Sequence, residues 1–467
     1  MHAPDRPARG FGRELRTTAV LAGPLVAGHV ATGLIGLVDG LIAGRHGTGT
    51  LAAVSVGTAL FWLPIMIPMG TLMALPPTVS QLDGAGRRGE VGAVFRQALW
   101  LAAMLGVLMF ALLTLAVHAL GPMGIAEEIR PGAADFLRGI RWGVPALTFY
   151  YCMRYLSDGL HWTLPTMVFG FGGLLLLVPA GYVLTFGALG FAERGPGGLG
   201  LASALVLWAQ AIGFFLYLWH SRRFAPLRLF ERLDAPDWRA IARLLRLGLP
   251  IGVTVAMEGG LFVGTALLIG RLGQLEAAAH QIALNISSLC FMVPFGLAEA
   301  TTVRVGHALG GSLGRQGVRR AALAGLVLVL GTQATSATVL LSASELLAAL
   351  YTNDAAVAAM GASLLLLAAV YQIPDGIQVI SAGALRGLKD TRAPMLLAAI
   401  SYWAVGMALG AWLGLGLGLG PRGMWMGLIA GLSVAAVLLG GRFLWRSARL
   451  APEGPVTSGA YRRAPEG

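Results

Sequence analysis

The chain has 467 residues, of which 56% are hydrophobic and only 12% charged, against about 25% charged in a soluble domain, so a soluble globular protein is excluded. Its net charge of +12 comes from short basic clusters between apolar runs, the pattern of positive-inside membrane loops and not of a nucleic-acid surface. Cys152 and Cys290 both lie in apolar runs, which excludes a disulfide framework and a CxxC metal site and leaves them as packing residues.

Residues 1–16 read as a basic cytoplasmic arm (Arg6, Arg9, Arg13, Arg16). The apolar run after it is too long for a signal-peptide core, so no cleavable leader is expected. About 20 apolar residues cross about 30 Å of hydrocarbon at about 1.5 Å each, and twelve such runs follow. They are 17–43, 52–80, 98–120, 136–156, 164–189 and 199–220, then 247–270, 279–306, 321–344, 355–385, 394–415 and 424–444. The fourth is interrupted or flanked by Arg138, Arg141 and Arg154. The tail 449–467, rich in Pro, Gly and Arg without periodicity, reads as disordered and cytoplasmic. The fold class is therefore an all-α integral membrane protein of twelve transmembrane helices.

Arginines set the orientation. They crowd the arm, the second connection (Arg87, Arg88), the middle connection from Arg222 to Arg246, and the sites Arg315, Arg319, Arg320, Arg386, Lys389 and Arg392, while the alternate connections carry few. The positive-inside rule then places both termini in the cytoplasm, which requires an even number of spans.

The chain repeats itself. Gly44-Arg-His-Gly47 with Leu51-Ala-Ala matches Gly270-Arg-Leu-Gly273 with Ala277-Ala-Ala, an offset of 270 minus 44, or 226. The same register pairs Pro68 with Pro294, Gly70 with Gly296 and Gly84 with Gly310. An even number of spans per unit gives the halves one orientation, so the expectation is two six-helix bundles, 17–221 and 247–448, joined by a basic linker, 222–246. A central cavity near the midplane is expected between them.

Four acids stand inside apolar segments: Asp39, Glu258, Glu299 and Asp375. A charge at mid-bilayer costs about 2.5–3.5 kcal/mol on insertion scales, so such residues normally face a polar cavity and have a function there. Glu258 lies about 18 Å along its helix from Arg246, and Asp375 about 16 Å from Arg386, at about 1.5 Å per residue; one cation could meet both. Around Asp375, Pro374 removes a backbone donor and Gly376 leaves room, which suits a hinge and freed carbonyls; Tyr371 lies one turn earlier on the same face. The alternative is a buried Asp satisfied by a neighbouring helix. At the repeat offset Asp39, Glu258 and Asp375 fall opposite Thr265, Thr32 and Phe149, and charges present in one half only favour function over scaffold. Glu299, nearer the cytoplasmic end, either lines the cavity, snorkels, or pairs with Arg304.

Weaker polar signals follow. Asn285 is a second candidate for lining the cavity, or else bonds between helices, and packing is the expected role of Ser287. His280 and Gln281 read as cap or interface residues as readily as ligand contacts, and His29 as a bonded packing histidine. Trp62, Trp100 and Trp208 read as interface markers, Trp403 as packing. There is no phosphate loop with its Lys and no HExxH, so neither an enzyme nor an ATP-driven pump is expected, and no cofactor.

The stretches Leu37-Val-Asp-Gly-Leu-Ile-Ala-Gly44, Ala278-Ala-His-Gln-Ile-Ala-Leu-Asn285, Thr302-Val-Arg-Val-Gly-His-Ala-Leu-Gly310, Tyr371-Gln-Ile-Pro-Asp375 and Gly383-Ala-Leu-Arg-Gly-Leu-Lys-Asp-Thr391 together resemble the multidrug and toxic compound extrusion transporters, specifically the NorM-type bacterial branch. The resemblance covers nearly all of the chain between arm and tail. It implies a V-shaped cavity between two six-helix bundles, in a protein of the bacterial inner membrane that works as a monomer. It also implies antiport of Na⁺ or H⁺ against small organic cations or drugs. The family's cation-binding acids then fall on Glu258 and Asp375, where Na⁺ would bind transiently, with Tyr371 beside them and Asp39 as the acid of the first segment. One departure is that segment five holds no acid, so a two-aspartate site in the first half is not expected. A lipid-linked-saccharide flippase of the same superfamily is the nearest alternative, but it would need a cationic cavity. An integral-membrane enzyme would need clustered His, Asp or Ser/His, and the 12-helix major facilitator fold is excluded by the motifs alone.

Overall fold

The computed structural model describes residues 10–232 and 234–451. The first nine residues of the expected arm and the expected tail beyond residue 451 lie outside the described residues.

Every element among the described residues is helical. The first half comprises α1 (Phe11–His46), α2 (Thr48–Leu72), α3 (Leu75–Gly84), α4 (Val91–Ala119), α5 (Arg130–Ile140), α6 (Val144–Gly159), α7 (Leu164–Phe186) and α8 (Gly195–His220). The second comprises α9 (Trp238–Gly270), α10 (Gln274–Gly310), α11 (Gly314–Ala349), α12 (Ala355–Gly387), α13 (Arg392–Ala399), α14 (Ala408–Ala411) and α15 (Gly420–Ala448), with wide π-helical turns at Ile400–Met407 and Trp412–Gly416 on either side of α14. Eleven of the resulting segments are long and apolar enough to cross a membrane. The twelfth crossing is α5 with α6. Its arginines lower its apolarity, and it breaks at Arg141–Gly143, where Pro145 in the first turn of α6 supplies no backbone donor. Pro76 and Pro77 likewise start α3 afresh after α2. Helices also outrun their apolar cores: α1 begins at Phe11, inside the expected arm, and α9 at Trp238, inside the expected linker.

The repeat is visible in the backbone. Gly47 alone joins α1 to α2, and Gly273 ends the three-residue connection 271–273 from α9 to α10; the two glycines stand at φ 157° and 155°, where a side chain would be strained. The helices after them start at 48 and 274, again 226 apart (274 minus 48). Two parallel-related six-helix bundles result.

The halves meet most closely at the end of the molecule that carries the connection from α8 to α9, here the linker side. Gly70 on α2 backs onto Gly252 on α9, and Gly84 on α3 onto the His307 carbonyl on α10. With lipid as solvent there is no hydrophobic drive to pair helices, and small residues that let backbones approach supply the contact instead. Polar ties add to it. Arg304 on α10 donates to both oxygens of Glu14 on α1 at 2.8 and 2.7 Å, and Gln81 donates to the Gly387 carbonyl at 2.8 Å. Bidentate guanidinium–carboxylate pairing is the stronger kind of ion pair.

Candidate functional site

Away from the linker side the halves enclose a cavity of about 440 Å³, within the range that holds small molecules. Its wall is built from α1 (Thr32, Gly36, Asp39), α2 (Trp62, Met66, Met69), α6 (Tyr151, Arg154, Tyr155), α9 (Glu258, Phe262), α10 (Ser287, Phe291, Met292, Phe295) and α12 (Tyr371). Aromatic rings and methionines that can repack suit substrates of varied shape.

Glu258 is half-buried on α9 and faces this cavity. Asp375 on α12 is buried. The structure brings them together through a residue that sequence reasoning missed, Gln378, one turn after Asp375 on the same face. Its Nε2 donates to Glu258 Oε1 at 3.2 Å and to Asp375 Oδ1 at 3.5 Å. Its Oε1 accepts from the hydroxyl of Tyr402 at 2.9 Å, which fixes the amide with its two hydrogens toward the acids. Tyr402 sits in the π-helical turns that follow α13, a local widening that recurs at functional sites. Tyr371 flanks the group, packed between Phe262 and Trp425 with ring centroids 6.4 and 5.9 Å away.

Asp39 also lines the cavity, toward the far end of α1, and its Oδ1 has no hydrogen-bond partner. It does not join Glu258 and Asp375. Pro374 and Gly376 lie within α12, which remains helical through both; a Cβ on Gly376 would stand 2.8 Å from Gln333 and 3.1 Å from Val329 on α11, so this glycine also serves close packing.

Four expectations need correction. Asn285 does not line the central cavity: it accepts from Gln281 at 3.0 Å in a separate surface groove with Tyr351 and Asp354. The cavity face of α10 runs through Leu284, Ser287, Ser288 and Phe291, and Asn285 lies about 100° round the helix from Leu284. Glu299 neither snorkels nor pairs with Arg304, whose partner is Glu14. It is buried below the cavity, where its Oε2 meets His29 Nε2 at 2.9 Å and accepts from Arg154 Nη2 at 3.0 Å. Arg154 Nε in turn donates to Asp158 at 3.3 Å, and Thr166 caps Asp158 at 2.7 Å. Burying so many charges is tolerable only because each is paired. Trp62 and Ser287, finally, belong to the cavity wall. His280 is a packing residue, accepting at Nδ1 from Trp425 at 3.2 Å. Arg154 and Asp158 form an i, i+4 pair of opposite charge at the end of the fourth apolar run, a signal present in the sequence; Gln378 carried no comparable signal.

The MatE family model matches residues 24–183 and again 250–412, one match in each half and in register with the repeat. The chain is 64% identical over 449 residues to the "Probable multidrug resistance protein NorM" of Xanthomonas campestris pv. campestris, covering 96% of this chain and 98% of that one. It is 41% identical to the "Multidrug resistance protein PmpM" of Pseudomonas aeruginosa, covering 96% and 95%. Among solved structures it resembles the eukaryotic MATE transporter AtDTX14, with a TM-score of 0.85 at 20% identity over 94% of this chain and 98% of that one. The chain therefore belongs to the MatE family of membrane transporters, in its NorM-type bacterial branch.

Proposed function

We propose that this transporter is a cation-coupled antiporter, driven by Na⁺ or H⁺, that exports organic cations and drugs from the cytoplasm. The observation that carries the reading is the pairing of Glu258 and Asp375 through Gln378 at the wall of an aromatic cavity between the halves. Two carboxylates so placed repel each other, and either a metal ion, a proton or an organic cation relieves them. Tyr371 and Asp39 extend the negative or polarisable wall, and the relatives' names, multidrug resistance proteins, agree in kind.

The boundaries of the proposed bundles are 17–221 and 247–448, with 222–246 as linker. The basic linker side faces the cytoplasm under the positive-inside rule, and the chain is a monomer of the inner membrane. The cavity then faces outward in this conformation. The flippase alternative gains nothing from Arg154 in the wall, because Asp158 and Glu299 neutralise it.

The deciding experiment is transport of a fluorescent organic cation by protein in sealed vesicles, with a pH gradient and a Na⁺ gradient imposed separately. Transport under one gradient, abolished by Glu258→Gln and by Asp375→Asn, is the expected result. Transport indifferent to both gradients refutes the coupling.

A further inference from the structure

On the linker side, outside the cavity, three metal-ligating side chains from both halves converge. Asp83 lies in the last turn of α3, and His161 follows α6 in a left-handed conformation (φ 61°); both belong to the first half. His307 occupies the last turn of α10, in the second half. His307 Nδ1 lies 3.2 Å, and His161 Nδ1 3.8 Å, from Asp83 Oδ2. One ligand atom from each residue lies within 4.8 Å of the other two.

We propose that Asp83, His161 and His307 form a site for a divalent transition-metal ion, Zn²⁺ above all, that clasps the two halves together on the linker side. Bonds of about 2.0–2.2 Å in a tetrahedron place ligand atoms about 3.4 Å apart, so the triad closes on an ion with side-chain movements of about 1 Å. His307 Nδ1 is buried and makes no hydrogen bond despite its nearness to Asp83. At 3.2 Å the two atoms stand close to the separation that two ligands of one tetrahedral ion have. The other Asp83 oxygen accepts from Arg88, the outer-shell tie that orients a ligating carboxylate. Two imidazoles with one carboxylate suit Zn²⁺ or its transition-metal neighbours, whereas Ca²⁺ and Mg²⁺ prefer oxygen throughout.

The surroundings define both the opposition and the route in. Arg304 Nη1 stands 3.4 Å from His161 Nε2; a ring bound to metal through Nδ1 carries its proton on Nε2, so this long contact is given up, while Arg304 keeps its short bonds to Glu14. The His161 and His307 side chains are 19% and 26% exposed, so an ion reaches them from water. The backbone beside the site is fixed by Gly84 against the His307 carbonyl. Because the ligands come from both halves, the complete site exists only while the linker side is closed, and an ion that binds one state alone shifts the population toward it. Binding rests on geometry; its consequence for transport rests on the proposed antiport.

The test titrates untagged, purified protein with Zn²⁺ against a chromophoric chelator, and separately with Co²⁺ read by its visible d–d bands. One equivalent should bind to the parent and to a control with exposed His118 and His220 replaced by alanine. Affinity should fall at least about tenfold in His307→Gln and in His161→Asn, the latter chosen because Asn tolerates positive φ. A parent that binds no equivalent, or variants that keep it, overturns the site. In vesicles Zn²⁺ should slow dye export reversibly in the parent and not in His307→Gln. Specific binding with unaltered export overturns the clasp, while a parent without export under any gradient strikes the proposed function and leaves the binding result standing.

Discussion

Gly84 and Gly310 stand at equivalent positions of the repeat, 226 residues apart (310 minus 84), and each backs onto the other's helix: Gly84 onto the His307 carbonyl, Gly310 onto the Gln81 carbonyl. His307 and Gln81 are themselves 226 apart (307 minus 81), so the contact is a reciprocal pair across a pseudo-two-fold axis. Deeper in, Gly70 against Gly252 and Gly296 against Val26 repeat the relation. A Cβ on Gly310 has only backbone to push on. Gly310→Ala is therefore expected to open the linker side, since overpacking costs about 1–3 kcal/mol, enough to move a two-state equilibrium severalfold. Spin labels on Gly89→Cys and Gln316→Cys, both at exposed linker-side positions, should report a longer distance in Gly310→Ala than in the parent. An unchanged distance distribution would show that the glycine contact does not hold the closed state.

The ion pairs beneath the cavity make a stability prediction. Glu299 is the carboxylate shared by His29 and Arg154, and it ties α10 of one half to α1 and α6 of the other. Glu299→Gln leaves Arg154 with Asp158 alone. Removing one partner of a buried pair typically costs about 3–5 kcal/mol, so the variant should unfold in detergent at clearly lower temperature. Adding Arg154→Met should restore part of the loss, because the stranded charge is then gone. If the single variant melts with the parent, Glu299 does not anchor the interface.

How much of this was legible follows from how each feature is encoded. Twelve crossings could be read because hydrocarbon thickness demands long apolar runs, and the halves because Gly47 and Gly273 must both be glycine at φ near 155°. Helix ends were less legible, since α1 and α9 continue into water on residues that hydropathy does not register. The acids announced themselves by charge. What joins Glu258 to Asp375 did not, for Gln378 and Tyr402 are uncharged and gain their role only when α9, α12 and the turns after α13 come together. Asn285 misled for the complementary reason: it is polar and at the right height, but one residue is about 100° on a helix.

Gln378 gives a prediction of its own. In Gln378→Leu both carboxylates lose their common donor, whereas Tyr402→Phe removes only the hydroxyl that orients the amide. Hydrogen bonds to charged groups are worth about 1.5–3 kcal/mol against about 1 for neutral ones. Ion-driven dye export should accordingly fall more in Gln378→Leu than in Tyr402→Phe, with both proteins inserted at parent levels. Equal, near-parental export in both would separate Gln378 from coupling.

Pro374 leaves a backbone carbonyl of α12 without its helical donor, beside Asp375. If α12 changes shape during transport at that point, Pro374→Ala should slow turnover more than it weakens dye binding. Turnover measured in vesicles and affinity measured in detergent separate the two. Parental turnover at normal expression would count against a hinge in α12.

Competition between ion and drug is the most direct consequence of the proposed coupling site. Glu258 opens on the cavity while Asp375 is buried behind it, and one amide spans them. A cation held there cancels much of the negative potential that an organic cation in the cavity would otherwise meet. Reciprocity then binds the two: whatever factor the ion takes from drug affinity, the drug must take from ion affinity, typically about 5–150-fold for couplings of about 1–3 kcal/mol. Antiport follows, because each ligand favours release of the other. Equilibrium binding of a cationic dye to the purified protein should weaken as the coupling ion is raised, and Glu258→Gln or Asp375→Asn should remove that dependence. Asp39 sits apart on α1, so Asp39→Asn should alter dye affinity while leaving the ion dependence in place. Dye affinity in the parent that is indifferent to both Na⁺ and pH would sink the competitive mechanism and leave the family assignment untouched.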